Sequence, residues 1–138
     1  MSHYLKYFAA IYGLVLLLLG VLYIIGLNFS VLSLLPALCA AAGLTAKHFI
    51  KKQQRLPNTE EKIQLVWGSS AIAIVMASVL VCVLVVIHPN AKDIIAAAEK
   101  TGIAMTAMIM LCLVTIHGVL CFVAYGWYAS LCLKRQYP

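Results

Sequence analysis

Charged side chains are scarce in this chain of 138 residues. Ten lysines and arginines and four acidic residues make up 10% of the sequence, whereas 64% of it is hydrophobic. A soluble domain is about a quarter charged, because its surface has to meet water. The composition therefore excludes a soluble domain. It predicts an all-α integral membrane protein, in which four spans of about 20 residues would use most of the chain.

The residue patterns that enzymes need are also missing. The five cysteines form no C-x-x-C pair and avoid both predicted external connections, which argues against thiol oxidoreductase chemistry. No two histidines fall at matching depth on different spans, as haem ligation within one chain requires. The sequence also offers no acid/base pair, nucleophile constellation, phosphate loop or metal cluster. We therefore predict a non-enzymatic protein with no catalytic, cofactor-binding or metal-binding residues.

Hydropathy and turn signals predict a bundle of four membrane helices. Asn58 and Glu61 form a capping-box pattern directly after Pro57, which predicts that the third helix starts at residue 58 or 59. This helix is about 43 Å long at about 1.5 Å per residue, so its first two turns should project into water. The predicted spans are 7–27, 31–50, 66–87 and 103–133, with a loop at 51–65 and a short surface helix at 91–100.

Basic residues are distributed unevenly between the two sides of this bundle. Eight of the ten lie on the side of both termini and the 51–65 loop, against Lys92 and Lys100 on the other. Because short loops rich in Lys and Arg stay inside, we predict that both termini are cytoplasmic. Such a loop contacts anionic lipid headgroups, and nothing in it stacks on or reads bases, so no nucleic-acid partner is expected. The headgroup contacts are assigned to Lys47, Lys51, Lys52 and Arg55.

No aspartate or glutamate lies inside a predicted span, which leaves His117 as the main intramembrane ionisable group. Small four-helix drug exporters depend on a membrane-embedded carboxylate, so that class is disfavoured. Helical spacing places His117 on one stripe with Tyr125, beside Gly118. His117 is either a hydrogen-bonded structural group or a titrating group on a proton path. The full stripe is Met110, Leu113, His117, Cys121 and Tyr125.

Small residues recur at helix-packing spacing along the spans. Ser69, Ala73 and Ala77 repeat every four residues on the third span, Ala9 and Gly13 do so on the first, and Gly118 allows close approach on the fourth. Lipid tails provide no hydrophobic drive between helices, so such faces hold a bundle together. Their number predicts contacts beyond a single chain, and hence a symmetric homo-oligomer.

Two short motifs carry a resemblance to a known family. They are Arg55-Leu56-Pro57-Asn58-Thr59-Glu60-Glu61-Lys62, followed by Trp67-Gly68-Ser69, and Tyr125-Gly126-Trp127. In these motifs the chain resembles the AciT-like small four-helix inner-membrane proteins of Gram-negative bacteria, and the hydropathy layout extends the likeness over nearly the whole length. The resemblance implies a multi-pass protein of the bacterial inner membrane, tied to envelope integrity and drug tolerance and assembled as a symmetric trimer. It implies no catalytic residues. Asn58 stands near where related chains are expected to have a threonine, and either residue caps a helix.

Two hypotheses about function follow. The first is a non-enzymatic membrane protein that assembles with itself as a trimer or dimer and contacts lipids and envelope proteins. Its contact surfaces would be the basic loop, the start of the third helix and the 91–100 segment. The second is a small oligomeric channel or proton-coupled transporter whose path passes His117.

Overall fold

Every regular element is helical in the part of the chain that a computed structural model describes, residues 2–26 and 34–136. The all-α prediction is confirmed for these residues. The predicted connection between the first two spans falls within residues 27–33, which lie outside the described ranges. In chain order the elements are α1 (Ser2–Ile24), α2 (Leu34–Gln53), α3 (Thr59–Ile87), α4 (Ala91–Thr101), α5 (Ile103–Val123), a π-helical segment (Ala124–Tyr128) and α6 (Ala129–Gln136).

Three of the described helices are long and apolar enough to cross a bilayer. They are α1, α3, and the continuous helix Ile103–Arg135 that α5, the π-helical segment and α6 form together. These helices indicate a membrane protein and overlap the predicted first, third and fourth spans, although α1 ends at Ile24, before the predicted end of the first span. Within the described residues α2 is not among them, because Lys47, His48, Lys51 and Lys52 lower the hydropathy of its last two turns. A fourth crossing remains a prediction.

Helix α2 is nevertheless the most enclosed of the long helices in the described ranges. Eight of its 20 residues are buried, against five of 23 in α1 and four of 29 in α3. Half of the buried residues are alanines, whose small side chains let neighbouring helices come close. Pro36 lies in the first turn of α2, where its missing N–H removes no intrahelical hydrogen bond. The buried alanines are Ala37, Ala41, Ala42 and Ala46.

Helix α1 contributes one stripe of large side chains to this core. Tyr4, Phe8, Tyr12 and Leu16 are buried and recur every four residues, which places them on one face. Leucines on the opposite face are exposed, with Leu14 72% accessible. In a bilayer that face meets lipid tails, so the exposure carries no penalty there.

Contacts between helices show which helix ends lie together. At the end of α2, Gln53 donates a hydrogen bond from Nε2 to the Tyr4 hydroxyl at 3.1 Å. Gly68 of α3 lies against the Leu5 side chain of α1, and α6 packs against α2. The described chain ends and the α2–α3 loop therefore share one end of the molecule, which we call the basic end; the opposite end is the far end. The basic end carries Lys6, Lys47, Lys51, Lys52, Arg55, Lys62, Lys134 and Arg135.

A helix N-cap and an ion pair together fix the loop between α2 and α3. The Asn58 Oδ1 accepts a hydrogen bond from the Thr59 N–H at 2.8 Å, and the Asn58 N–H donates to the Glu61 carboxylate at 2.8 Å. The Arg55 guanidinium donates two further bonds of 2.7 Å to that carboxylate. The predicted capping box and helix start are confirmed. The bidentate pair ties the loop to the helix that it precedes.

Packing becomes loose toward the far end. Every residue of α5 from 103 to 112 is exposed, and α3 has no buried residue beyond Ala73. Helix α4 matches the predicted surface helix at 91–100 with one extra residue, and its side chains from Lys92 onward are exposed. The single chain therefore covers its helices well at the basic end and leaves them open to lipid or to a partner at the far end.

The Arg55–Glu61 pair predicts a low titration point for Glu61, which lies in the polar first turn of α3. Hydrogen bonds from Arg55, and then from the Asn58 N–H, lower the pKa of Glu61 from 4.5 to about 2. Because the folded pKa is the lower one, the stabilisation of this helix start is present above pH 4.5 and is lost as the pH falls through about 2. We expect the Glu61 carboxyl carbon resonance, followed by NMR in detergent micelles, to titrate near pH 2.

Arg55→Gln is the matched variant for this titration. It removes the largest contribution to the low pKa and keeps the bond from the Asn58 N–H, so the midpoint should rise part of the way toward 4.5. An unchanged midpoint in Arg55→Gln would contradict the ion pair.

Candidate functional site

A hydrogen bond in the bundle interior joins α3 to the π-helical segment. The Ser69 Oγ and the Tyr125 hydroxyl lie 2.8 Å apart, with both side chains almost fully buried. Thr45 of α2 is buried as well, and its hydroxyl donates to the Ala41 carbonyl at 2.8 Å. Because hydrocarbon cannot satisfy polar atoms, each such bond favours a single arrangement of the helices around it.

His117 is buried one turn before Cys121 on α5, with only 6% of its surface accessible. Its Nδ1 lies 2.8 Å from the Leu113 carbonyl oxygen, and a carbonyl only accepts, so Nδ1 carries the proton. The Nε2 atom is then an acceptor, and it has no hydrogen-bond partner among the described residues. The hydroxyls of Tyr12 and Ser70 are likewise buried and without a partner in the described ranges.

The predicted stripe on the fourth span is buried only in its second half. His117, Cys121 and Tyr125 are buried together, with 6%, 0% and 1% of their surfaces accessible. Leu113 is half-buried and Met110 is 49% exposed. Among the described residues the stripe is therefore enclosed at His117, Cys121 and Tyr125 and increasingly exposed toward the far end.

The small residues predicted to serve helix packing are used mainly within the chain. Ser69 and Ala73 are buried, Ala77 is half-buried, and Gly13 lies so close to Met76 that an added Cβ would stand 2.8 Å from its Cε. Gly118 differs, since a Cβ built there meets nothing described within 4 Å. Intrachain contacts thus account for these faces on α1 and α3, and only the one at Gly118 stays open.

A groove at the basic end brings together the two sequence motifs, which lie more than 60 residues apart along the chain. It has a volume of about 380 Å³. Leu56, Pro57 and Lys62 come from the first motif, and Tyr125, Gly126 and Trp127 come from the second. Phe122, Val123 and Ser130 complete the lining. Neither motif forms the groove alone.

The Lys62 side chain lies in this groove against the end of α5 and the π-helical segment. Its Nζ lies 3.7 Å from the centre of the Phe122 ring, a close cation–π contact. A Cβ added at Gly126 would stand 2.7 Å from the same Nζ, so glycine leaves the space that the ammonium occupies. π-Helical turns insert one residue into a helix and are frequent at functional sites. Here the turn brings Gly126 and the aromatic side chains beside Lys62.

The predicted headgroup residues differ in how free their charges are. Lys47, Lys51 and Lys52 are exposed at the end of α2, which leaves them open to solvent or headgroups. Arg55 is exposed too, but its guanidinium is bonded to Glu61 and lies 5.7 Å from the Phe49 ring centre. Sequence reasoning did not identify Lys62 or the groove as a site. The signal available for it was Gly126, a helix-weakening residue between two aromatics in an otherwise apolar span.

All five cysteines are free thiols, and Cys121 is the buried one. No group of three metal-ligating side chains occurs within residues 2–26 and 34–136. The polar chemistry of the described structure thus lies in the buried layer around His117 and Tyr125 and in the groove at the basic end. No protein-family model, curated protein or solved structure was found to match the chain.

The Ser69–Tyr125 bond gives a prediction about stability. Tyr125→Phe leaves the Ser69 hydroxyl buried and unpaired, so it should lower the free energy of unfolding by about 1–3 kcal/mol. Adding Ser69→Ala removes the orphaned group, so the double variant should cost less than the two single variants together. The measurement is a double-mutant cycle of unfolding in mild detergent, and we expect a coupling of about 0.6–1.7 kcal/mol. Strict additivity would rule out the bond as a source of helix pairing.

Proposed function

We propose that the chain is a non-enzymatic protein of the bacterial inner membrane that assembles with itself. In this proposal it supports envelope integrity or drug tolerance through contacts with lipids and envelope proteins. Four helices cross the membrane, with α2 as the second crossing and both termini in the cytoplasm. Under this proposal the protein acts through its contact surfaces, and no reaction takes place in the bundle.

The convergence of two distant motifs on the groove at the basic end is the observation that carries this proposal. The lining offers an ammonium group, aromatic faces, a hydroxyl group and apolar walls, which are groups that recognise a partner. Trp127 on the groove wall is 67% exposed, and Trp67 on α3 is 66% exposed. Exposed tryptophans of this kind are typical of the membrane interface.

The proposed orientation is supported by the distribution of charge. Eight of the ten basic residues belong to the basic end, where the described chain ends also lie. A lysine- and arginine-rich end with short loops is retained in the cytoplasm during insertion. Lys92 and Lys100 on α4 are balanced by Asp93 and Glu99, so the far end is close to neutral and can be translocated.

Self-assembly is supported by the uncovered half of the molecule. Residues 103–112 of α5 are exposed on all sides, and Gly118 presents an open surface at the point where the buried stripe begins. Close approach of a second helix at a glycine gives van der Waals contact and access to backbone groups, which lipid cannot match. The open glycine therefore favours a second copy of the chain over lipid alone.

The oligomeric state tests this proposal directly. We expect the protein in nanodiscs to be a trimer or dimer by mass photometry or light scattering, and Gly118→Leu to shift it toward monomer because the added side chain keeps the helices apart. Val119→Leu, at the exposed neighbouring position, is the matched control and should leave the assembly unchanged. A monomeric wild type would defeat the self-assembly proposal.

The unpartnered polar atoms around His117 favour a second candidate, a channel or proton-coupled transporter. The imidazole Nε2 and the hydroxyls of Tyr12 and Ser70 are buried without a partner in the described part of the chain, and such atoms line polar paths in membrane proteins. The two candidates differ in what His117 does. It is the group that carries the proton in the transporter and a packing residue in the contact protein.

His117→Leu separates these candidates. Leucine keeps the apolar bulk and removes the unpartnered Nε2, so we expect unchanged assembly and unchanged or slightly higher thermal stability. Proton flux into vesicles, read with a trapped pH-sensitive dye, should equal that of empty vesicles for both wild type and variant. Wild-type flux that disappears in His117→Leu at constant assembly state would instead establish the transporter.

A further inference from the structure

We propose that the groove at the basic end is a binding site for the phosphate headgroup of an anionic phospholipid, with Lys62 as its cation. This inference rests on the proposed placement of the molecule in a membrane, and it gives the lipid contact a defined position. The occupant would lay its headgroup against Lys62 and Ser130. Its glycerol and upper acyl chain would follow the apolar wall of Phe122, Val123 and Trp127.

The charge of Lys62 is uncompensated within the part of the chain that the structure describes. Arg55 and Glu61 neutralise each other in a bidentate pair, so the acidic neighbour of Lys62 is already occupied. The Lys62 ammonium contacts the face of Phe122 instead, and the ring offers a partial negative charge without accepting a strong hydrogen bond. A half-buried ammonium with free N–H donors is complementary to a phosphate oxygen.

The depth of the groove matches the headgroup region. Lys62 is the last charged residue before an uncharged run from 63 to 87, and its Nζ lies beside Gly126 and Phe122, inside the uncharged run from 103 to 133. Gly126 is eight residues before Lys134, which is about 12 Å along a helix at about 1.5 Å per residue. The Lys62 ammonium beside Gly126 is therefore set below Lys134, on the side of the uncharged runs, where lipid phosphates and exposed tryptophans lie.

The amphipathic lining favours a lipid over a soluble anion. A soluble phosphate would leave Phe122, Val123 and Trp127, which are 55%, 44% and 67% exposed, facing water. A phospholipid covers these side chains with its own apolar part while its phosphate reaches Lys62. Only an amphipathic occupant contacts both the Lys62 ammonium and the apolar wall of the groove.

A substitution at Gly126 distinguishes binding at a defined site from general attraction to a charged surface. Gly126→Ala keeps the net charge, but its methyl group would stand 2.7 Å from the Lys62 Nζ and 3.2 Å from its Cε, so the end of the lysine side chain has to shift from its present position in the groove. Attraction that depends only on total charge is unaffected by this change. Recognition that depends on the position of the ammonium is weakened.

Trp127 provides the readout. The chain has two tryptophans, so Trp67→Phe leaves Trp127, on the groove wall, as the single tryptophan, which is excited selectively at the red edge of tyrosine absorption. The protein in this background is reconstituted with phospholipids brominated on the upper acyl chain, which quench tryptophan on contact. We expect phosphatidylglycerol to quench Trp127 more strongly than phosphatidylcholine at equal mole fraction. Lys62→Gln should reduce this preference about fivefold, the contribution of one basic side chain near an anionic surface.

Two further variants decide between a site and a charged surface. Gly126→Ala should also lose most of the preference, whereas Lys134→Gln, which removes a charge of the same end outside the groove lining, should keep it. Circular dichroism and the oligomeric state of each variant establish that the fold is retained. A preference that survives in Gly126→Ala and falls equally in Lys62→Gln and Lys134→Gln would overturn the site. Displacement of the lipid by millimolar glycerol phosphate would overturn the lipid as its occupant.

The lipid-binding experiment and the oligomeric-state measurement can fail independently of each other. A monomeric protein that still shows the Lys62-dependent preference would retain the lipid site and lose self-assembly. An oligomer that binds both lipids equally would retain self-assembly and lose the site. The quenching ratio reports on the groove at the basic end, and the mass measurement reports on assembly through the open surface at Gly118.

Discussion

Close approach of helices around α2 is the constraint on which the rest of the structure depends. Lipid tails give helices no hydrophobic reason to associate, so packing contacts and buried hydrogen bonds have to hold them. Helix α2 meets this demand with four buried alanines, which let α1 on one side and the last long helix on the other reach its backbone surface. The Ser69–Tyr125 bond then ties α3 to the same core. The enclosed part of the molecule extends as far as these contacts do.

This arrangement makes the two ends of the molecule physically different. At the basic end four helices and a capped loop meet, and the chain forms an ion pair, a π-helical turn and a groove there. Beyond Ala73 in α3 and before His117 in α5 no described residue is buried, and most of the large apolar side chains there are exposed. The groove and this exposed apolar surface thus lie at different levels along the helices. The unpartnered atoms of His117, Tyr12 and Ser70 lie in the enclosed part, where hydrocarbon cannot satisfy them.

Sequence patterns predicted those features that depend on neighbours in the chain. The capping box at Asn58 and Glu61 was readable because its two partners are three residues apart. His117, Cys121 and Tyr125 share one face by helical spacing and are buried together, whereas Met110 on the same predicted stripe is 49% exposed. Spacing defines a face but does not say how far along the helix a neighbour covers it. The small residues on α1 and α3 were equally readable; Ser69, Ala73 and Gly13 make contacts within the chain, and the homo-oligomer stays a prediction.

The sequence by itself determined that the chain is helical and belongs in a membrane, because hydropathy and charge placement are properties of single residues and short windows. It also determined where α3 begins. Only the tertiary structure decided that α2, the least apolar of the long helices, lies deepest in the bundle, and that Lys62 lies over Phe122 beside Gly126. The reason is physical. Contacts between residues 60 positions apart depend on how helices cross and where a helix takes a π-helical turn, and neither is encoded in the periodicity of one segment.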